Sequence, residues 1–130
     1  CAMTWDEAIG FCDTWLAAWT GNAPDRLMEF YASDAYYSDP SVPDGLRGHE
    51  SIRPYIVKLL ARNPDWEWTR EELFLTEKGF TLKWKARIPA GGREVVEHGL
   101  DIVEISQGRI TRNEVYFDRT QLLAALRERT

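Results

Sequence analysis

Residues 80–88 read FTLKWKARI. Phe80, Leu82, Trp84, Ala86 and Ile88 alternate with Thr81, Lys83, Lys85 and Arg87, a period of two that puts the apolar set on one strand face and the polar set on the other. A strand with one dry and one wet face suits an antiparallel sheet packed on a single side. Turn signals at Glu77 to Gly79, Pro89 to Gly92 and Ser106 to Gly108 divide everything from Trp66 onward into four such runs. The pattern predicts an antiparallel meander. In its third run Val95, Glu97, Gly99, Asp101, Val103 and Ile105 share one face, while Val96, His98, Leu100, Ile102 and Glu104 share the other. Apolar residues on both faces predict that one packs on helices and the other on something else.

Working back towards the N-terminus, the period changes to that of a helix. Thr4 and Glu7 have capping-box spacing, and Ala8, Phe11, Cys12, Trp15 and Trp19 recur on one side, which predicts a helix over 4–20 stopped by Gly21. Pro24 suits the first turn of a second helix ending near Ala32, with Leu27, Met28, Phe30 and Tyr31 on its buried side. A short extended piece, Ala35 to Ser38, then leads into a loop carrying Asp39, Pro40, Pro43 and Gly45. A third helix runs through Ile52, Tyr55, Ile56, Leu59 and Leu60, with Pro54 in or near its first turn, and residues 119–128 form a short closing helix. Helices first and a meander afterwards predict a single α+β domain over 1–130 whose curved antiparallel sheet wraps around the N-terminal helices. Such a sheet leaves a hollow, and Trp15, Trp19, Tyr55 and Trp84 are candidates to line it.

Composition narrows what the hollow serves. The 130 residues include six Trp, five Tyr and five Phe, many large rings for so small a core. A formal charge of −5, with 16 Lys and Arg scattered along the chain, argues against nucleic acid or an anionic membrane as partner and leaves small molecules and proteins. No apolar run is long enough to cross a bilayer, and no basic-then-apolar leader pattern opens the chain, so the expectation is a soluble, cytoplasmic protein. Cys1 lies at a terminus and Cys12 within a helical apolar pattern, which argues against a disulfide framework. His49 and His98 lack metal-ligand spacing, so no metal is expected.

The order of elements, with FYASDAYYSDP, LRGHESI and GLDIVEISQGRITRNEVYF, resembles the nuclear transport factor 2-like (cystatin-like) superfamily, and within it the SnoaL-like and ketosteroid isomerase-like proteins. The resemblance spans residues 5 to about 125 and implies a cone-shaped α+β barrel, its curved antiparallel sheet wrapped around the N-terminal helices. It carries the fold further than the activity, because the superfamily holds isomerases, dehydratases, cyclases, epoxide hydrolases and proteins without catalysis. It implies that Asp39, followed by Pro40, stands where the isomerases have their general base. It implies that Asp101 stands where a second, protonated aspartate donates to the developing enolate oxygen. The tyrosine completing that oxyanion site corresponds to Trp15. Of its two supporting tyrosines Tyr31 is kept and the other corresponds to Ile56. The resemblance also turns Asn113, Val115 and Phe117 inward and implies no cofactor.

Each candidate has a plainer reading. Asp39 before Pro40 is also a turn former, and Asp101 is also a strand acid able to pair with a cation across the sheet. Leu100, Ile102 and Val103 around Asp101 suggest a dry site that holds its carboxyl neutral. Trp15, Trp19 and Trp84 are core residues unless they form a wall, and Asn113 is either a ligand contact or an ordinary strand residue. The functional expectation is a small apolar carbonyl- or hydroxyl-bearing ligand bound in a deep pocket. Asp39 then acts as base for enolisation-type isomerisation, cyclisation or dehydration, and Asp101 and Trp15 stabilise the enolate. Trp19, Tyr31, Tyr55, Trp84, Asn113, Val115 and Phe117 are the expected ligand contacts. The alternative is a binding or scaffold module without catalysis. Leu100 and Ile102 on the opposite face predict a homodimer through the outer sheet surface.

Overall fold

A computed structural model describes residues 3–128. Helix α1, Trp5–Ala17, starts at the expected capping box, in which Thr4 Oγ1 accepts the Glu7 N–H and the Glu7 carboxylate accepts the Thr4 N–H. The helix ends three residues before the predicted Thr20. Gly21 then takes a positive φ of 92° and gives its N–H to the Pro64 carbonyl, so the chain leaves the helix through a tertiary contact. Cys12 is a buried free thiol, and Cys1 lies outside the described residues.

The second helix is shorter than expected. Helix α2 covers only Pro24–Met28, and strand β1, Tyr31–Asp39, begins where the helical pattern was expected to continue. Tyr31 is therefore a strand residue, drawn into the sheet by parallel pairing with Ile110. One turn of helix has little stability of its own, and sheet pairing overrides the local pattern. The expected Asp39 loop is a hairpin: strand β2, Val42–Arg47, pairs antiparallel with β1. Being an edge strand, β2 tolerates Pro43, and Gly45 leaves room for the Tyr36 ring, which a Cβ there would strike.

Helix α3, His49–Arg62, places Pro54 in its second turn rather than its first. Pro54 lies on the exposed side, where the carbonyl it leaves without a helical donor can face solvent. The meander matches the predicted runs as β3, Glu67–Leu75, β4, Gly79–Ala90, β5, Arg93–Ser106, and β6, Arg109–Tyr116, and helix α4, Thr120–Glu128, follows. The strands form one six-stranded sheet in the order β2-β1-β6-β5-β4-β3. Every pairing is antiparallel except β1 with β6, so the sheet is mixed where an all-antiparallel one was expected. Its curvature does not close it: β2 and β3 remain as edges, and the predicted barrel is an open, curved sheet.

The inner face follows the period-two reading. Phe80, Leu82, Trp84, Ala86 and Ile88 of β4 are buried, as are Val95, Glu97, Asp101 and Val103 of β5. Helix α1 packs along β3, α3 along β1 and β2, and α4 across β4 and β5. His98 points outward as expected and contacts Glu71 at 2.7 Å. Among the described residues, no helix is long and apolar enough to cross a membrane, and no cluster of three metal-ligating side chains occurs.

Candidate functional site

Between the helices and the inner sheet face lies a cavity of about 600 Å³. One wall is a run of aromatic rings in which Trp66, Trp68, Trp19, Tyr37 and Tyr55 stand in successive contact, with centroids 5.9 to 6.3 Å apart. Across from it, Trp84 packs edge-on against Phe117 at 5.2 Å. Helix α4 adds Leu122, Leu123 and Leu126. Lys58, Arg62 and Arg119 also reach the lining, and so do three carboxyl groups, those of Asp39, Asp101 and Glu97.

Asp101 is the deep carboxyl. It sits on the inner face of β5 with 4% of its surface exposed. Trp84, paired with Gly99 on the neighbouring strand, donates its indole N–H to Oδ1 at 2.8 Å, and Asn113 of β6 donates its amide N–H to Oδ2 at 3.1 Å. Gly99 makes this possible, because a Cβ at that position would collide with the Trp84 ring. Burial pushes the Asp101 carboxyl up to about 7. The Asn113 and Trp84 hydrogen bonds pull against that rise, and the Asp39 charge adds to it. Each oxygen accepts one bond from the protein, so a protonated Asp101 keeps a donor to offer.

Behind it runs a buried relay. Trp15 donates its indole N–H to the Tyr31 hydroxyl at 3.3 Å, Tyr31 donates to Asn113 Oδ1 at 2.8 Å, and Asn113 passes the chain to Asp101. Trp15, Tyr31 and Asn113 are each exposed by 1% or less and do not line the cavity. They stand in the layer behind the lining, although they were expected at the ligand. Trp15 lies under the helix with its N–H engaged, and Trp84 makes the direct indole contact to Asp101. Tyr31 fixes the orientation of the Asn113 amide from behind, and burial raises the Tyr31 phenol well above its ordinary range.

Asp39 sits where the β1–β2 turn meets the cavity wall. Its Oδ1 accepts the backbone N–H groups of Ser41 and Val42 at 2.8 and 3.2 Å, which is the turn role. Its Oδ2 accepts the hydroxyls of Tyr37 and Tyr55, each at 2.6 Å, at the cavity wall. Four donors occupy the roughly four acceptor positions of a carboxylate. Trp19, Tyr55, Trp84, Val115 and Phe117 line the cavity.

The sequence reading passed over Tyr37, Trp66, Trp68, Glu97, Arg119 and the leucines of α4. Two carried a usable signal: Tyr37 is two positions from Asp39 on one strand, and Glu97 shares the parity of Asp101.

A family model for the SnoaL-like domain matches residues 13–113. The chain belongs to the SnoaL-like family. Among curated proteins it is similar to the phenazine biosynthesis proteins PhzA1 and PhzA2 of Pseudomonas aeruginosa, 36% identical in an alignment of 87 residues that covers 62% of this chain and 54% of each relative. The matched region thus spans about half the length of those relatives. Among solved structures it resembles a Catenulispora acidiphila protein of ketosteroid isomerase-like fold in complex with trimethylamine, with a TM-score of 0.77, 20% identity, and 88% and 90% of the two chains covered. A SnoaL-like protein of Burkholderia thailandensis aligns with a TM-score of 0.75 at 17% identity, over 91% and 99% of the two chains. These structural likenesses carry the fold.

Proposed function

We propose that the cavity binds a small apolar molecule bearing a carbonyl or hydroxyl, and that Asp101 is the group that meets the oxygen. The observation that carries this is a buried carboxyl facing an aromatic cavity, hydrogen-bonded by Trp84 and Asn113 and poised by burial near neutral pH. In protonated form it donates to the ligand carbonyl and stabilises an enolate oxygen as charge develops. Asp39 takes the proton from the neighbouring carbon, and to do so one of its donors must turn away. Tyr55, half-buried at the wall, is that donor. The reaction class is enolisation leading to isomerisation, cyclisation or dehydration, with no cofactor. The likeness to phenazine biosynthesis proteins supports a role in assembling small cyclic molecules.

A second reading has its own observation. The four donors on Asp39 satisfy it without any substrate, which favours a binding module in which the Asp39 turn is architecture. Titrating the protein with apolar ketones and following tryptophan emission tests the binding that both readings share. Saturable quenching that is lost in Trp84→Lys supports the site, and quenching that never saturates removes it. Solvent-proton exchange into a bound ketone separates the two readings.

The proposed partner for the outer sheet face is a second copy of the chain. Leu100 and Tyr116 are register neighbours there, 46% and 53% exposed. Beside them, Lys83 and Lys85 of β4 are the register neighbours of Leu100 and His98, while Glu104 and Glu114 are paired with Arg112 within the same face, so the apolar pair rather than charge pairing carries the proposed two-fold contact. The buried Cys12 thiol suits a reducing compartment such as the cytoplasm.

A further inference from the structure

Glu97 lies four residues before Asp101 on the same face of β5, about 13 Å away along the strand. Its surface is 8% exposed, and it lines the cavity between Ala86 and Ile88 of β4 and Leu122 and Leu126 of α4. Its Oε1 is buried and has no hydrogen-bond partner, unlike every other buried side-chain oxygen and nitrogen among the described residues. A buried oxygen left in that state is costly, which favours a compensating partner. Arg119, the cation of the adjoining segment that also reaches the cavity, is turned towards Ser41 Oγ at 2.8 Å. Burial and the charge of Asp118 raise the Glu97 carboxyl above its ordinary range, while the Leu122 backbone N–H lowers it, which agrees with a group short of donors.

We propose that Glu97, a lining residue of the cavity, is a recognition group for the end of the ligand remote from Asp101, its carboxyl turning about the last side-chain bond so that the unpartnered oxygen accepts a hydrogen bond from an amine N–H or a hydroxyl O–H. The inference rests on the cavity being a ligand site and adds a second polar end to the ligand. The molecule that fits is an elongated apolar body with an oxygen directed at Asp101 and a hydrogen-bond donor directed at Glu97. A ligand without the donor leaves Oε1 unsatisfied and is discriminated against, which makes Glu97 a specificity determinant.

Three probes of nearly one shape test this by tryptophan quenching: 2-methylnaphthalene, naphthalen-2-ylmethanol and naphthalen-2-ylmethylamine. The alcohol and the amine are expected to bind about tenfold or more tighter than the hydrocarbon. Glu97→Leu erases both advantages, and Glu97→Gln, which keeps an acceptor oxygen but not the charge, keeps that of the alcohol and lowers that of the protonated amine. Glu97→Leu holds the hydrocarbon at least as tightly as the wild type does, since no carboxyl is left unsatisfied, and saturable binding of the hydrocarbon to both variants reports that they fold. Equal binding of all three probes to the wild type overturns the inference and leaves the pocket standing, as do advantages that survive in Glu97→Leu. Absence of saturable binding by any probe overturns the inference together with the pocket.

Discussion

The indole N–H of Trp84 donates to the Asp101 carboxyl over 2.8 Å, from a ring seated against the backbone of Gly99. This contact joins the aromatic lining of the cavity to its deepest titratable group. Gly99→Ala should push Trp84 off its seat, destabilise the protein by about 1–3 kcal/mol through overpacking, and blunt ligand quenching. Urea denaturation followed by tryptophan emission measures both effects.

Asp101 also sets a pH dependence of stability. Its folded carboxyl, raised from the ordinary 3.8 to about 7, keeps its proton to higher pH than the unfolded chain does. Between those values the folded state binds more protons, so stability falls as pH rises, by about 4 kcal/mol over the whole window. Asp101→Asn stays neutral throughout and should lack this fall. Its stability relative to wild type should therefore improve by about 2 kcal/mol or more between pH 5 and pH 8. Equal slopes in urea unfolding across that range would count against a buried, cation-free carboxyl.

The two phenols on Asp39 should separate by burial. Tyr37→Phe removes a fully buried donor to a carboxylate and should cost about 1.5–3 kcal/mol, whereas Tyr55→Phe, at the half-buried wall, should cost less. Tyr55→Phe also frees an acceptor position on Asp39. If Asp39 is the base, proton exchange into a bound ketone should persist or rise in that variant. Loss of exchange there would show that the tyrosine, rather than the carboxylate it covers, handles the proton.

How much of this was legible follows from which forces are local. The period of two in FTLKWKARI and the parity of β5 located the inner face, because side chains alternate along any strand. Asp101, Trp84, Val115 and Phe117 came with that parity. Tyr31 was misread because its strand conformation comes from pairing with β6, some eighty residues away. Trp15 was misread because helical spacing puts it on the buried side of α1 without distinguishing a cavity wall from the layer behind it. Glu97 was on the correct face in the sequence reading, but its unpartnered oxygen depends on α4 closing over it, which no local pattern encodes.

The outer sheet face gives a test of assembly. Leu100→Lys places a charge at the centre of the exposed apolar pair and beside Lys83 and Lys85 of β4. Sedimentation should show a dimer for the wild type and a shift towards monomer for this variant. A wild type that is monomeric at about 50 μM, well above ordinary dimer dissociation constants, would remove the proposed interface.

The central claim is that Asp39 and Asp101 together enolise a carbonyl ligand, and deuterium exchange tests it without knowledge of the natural substrate. With 1-tetralone in D2O, and tryptophan quenching reporting that the cavity is occupied, the wild type should exchange the hydrogens next to the carbonyl faster than buffer does. Asp39→Asn should bring the rate down by about 10² to 10⁴ with binding kept, and Asp101→Ala should weaken it. Occupancy of the cavity with equal exchange in wild type and Asp39→Asn would contradict the claim and leave the Asp39 turn as architecture.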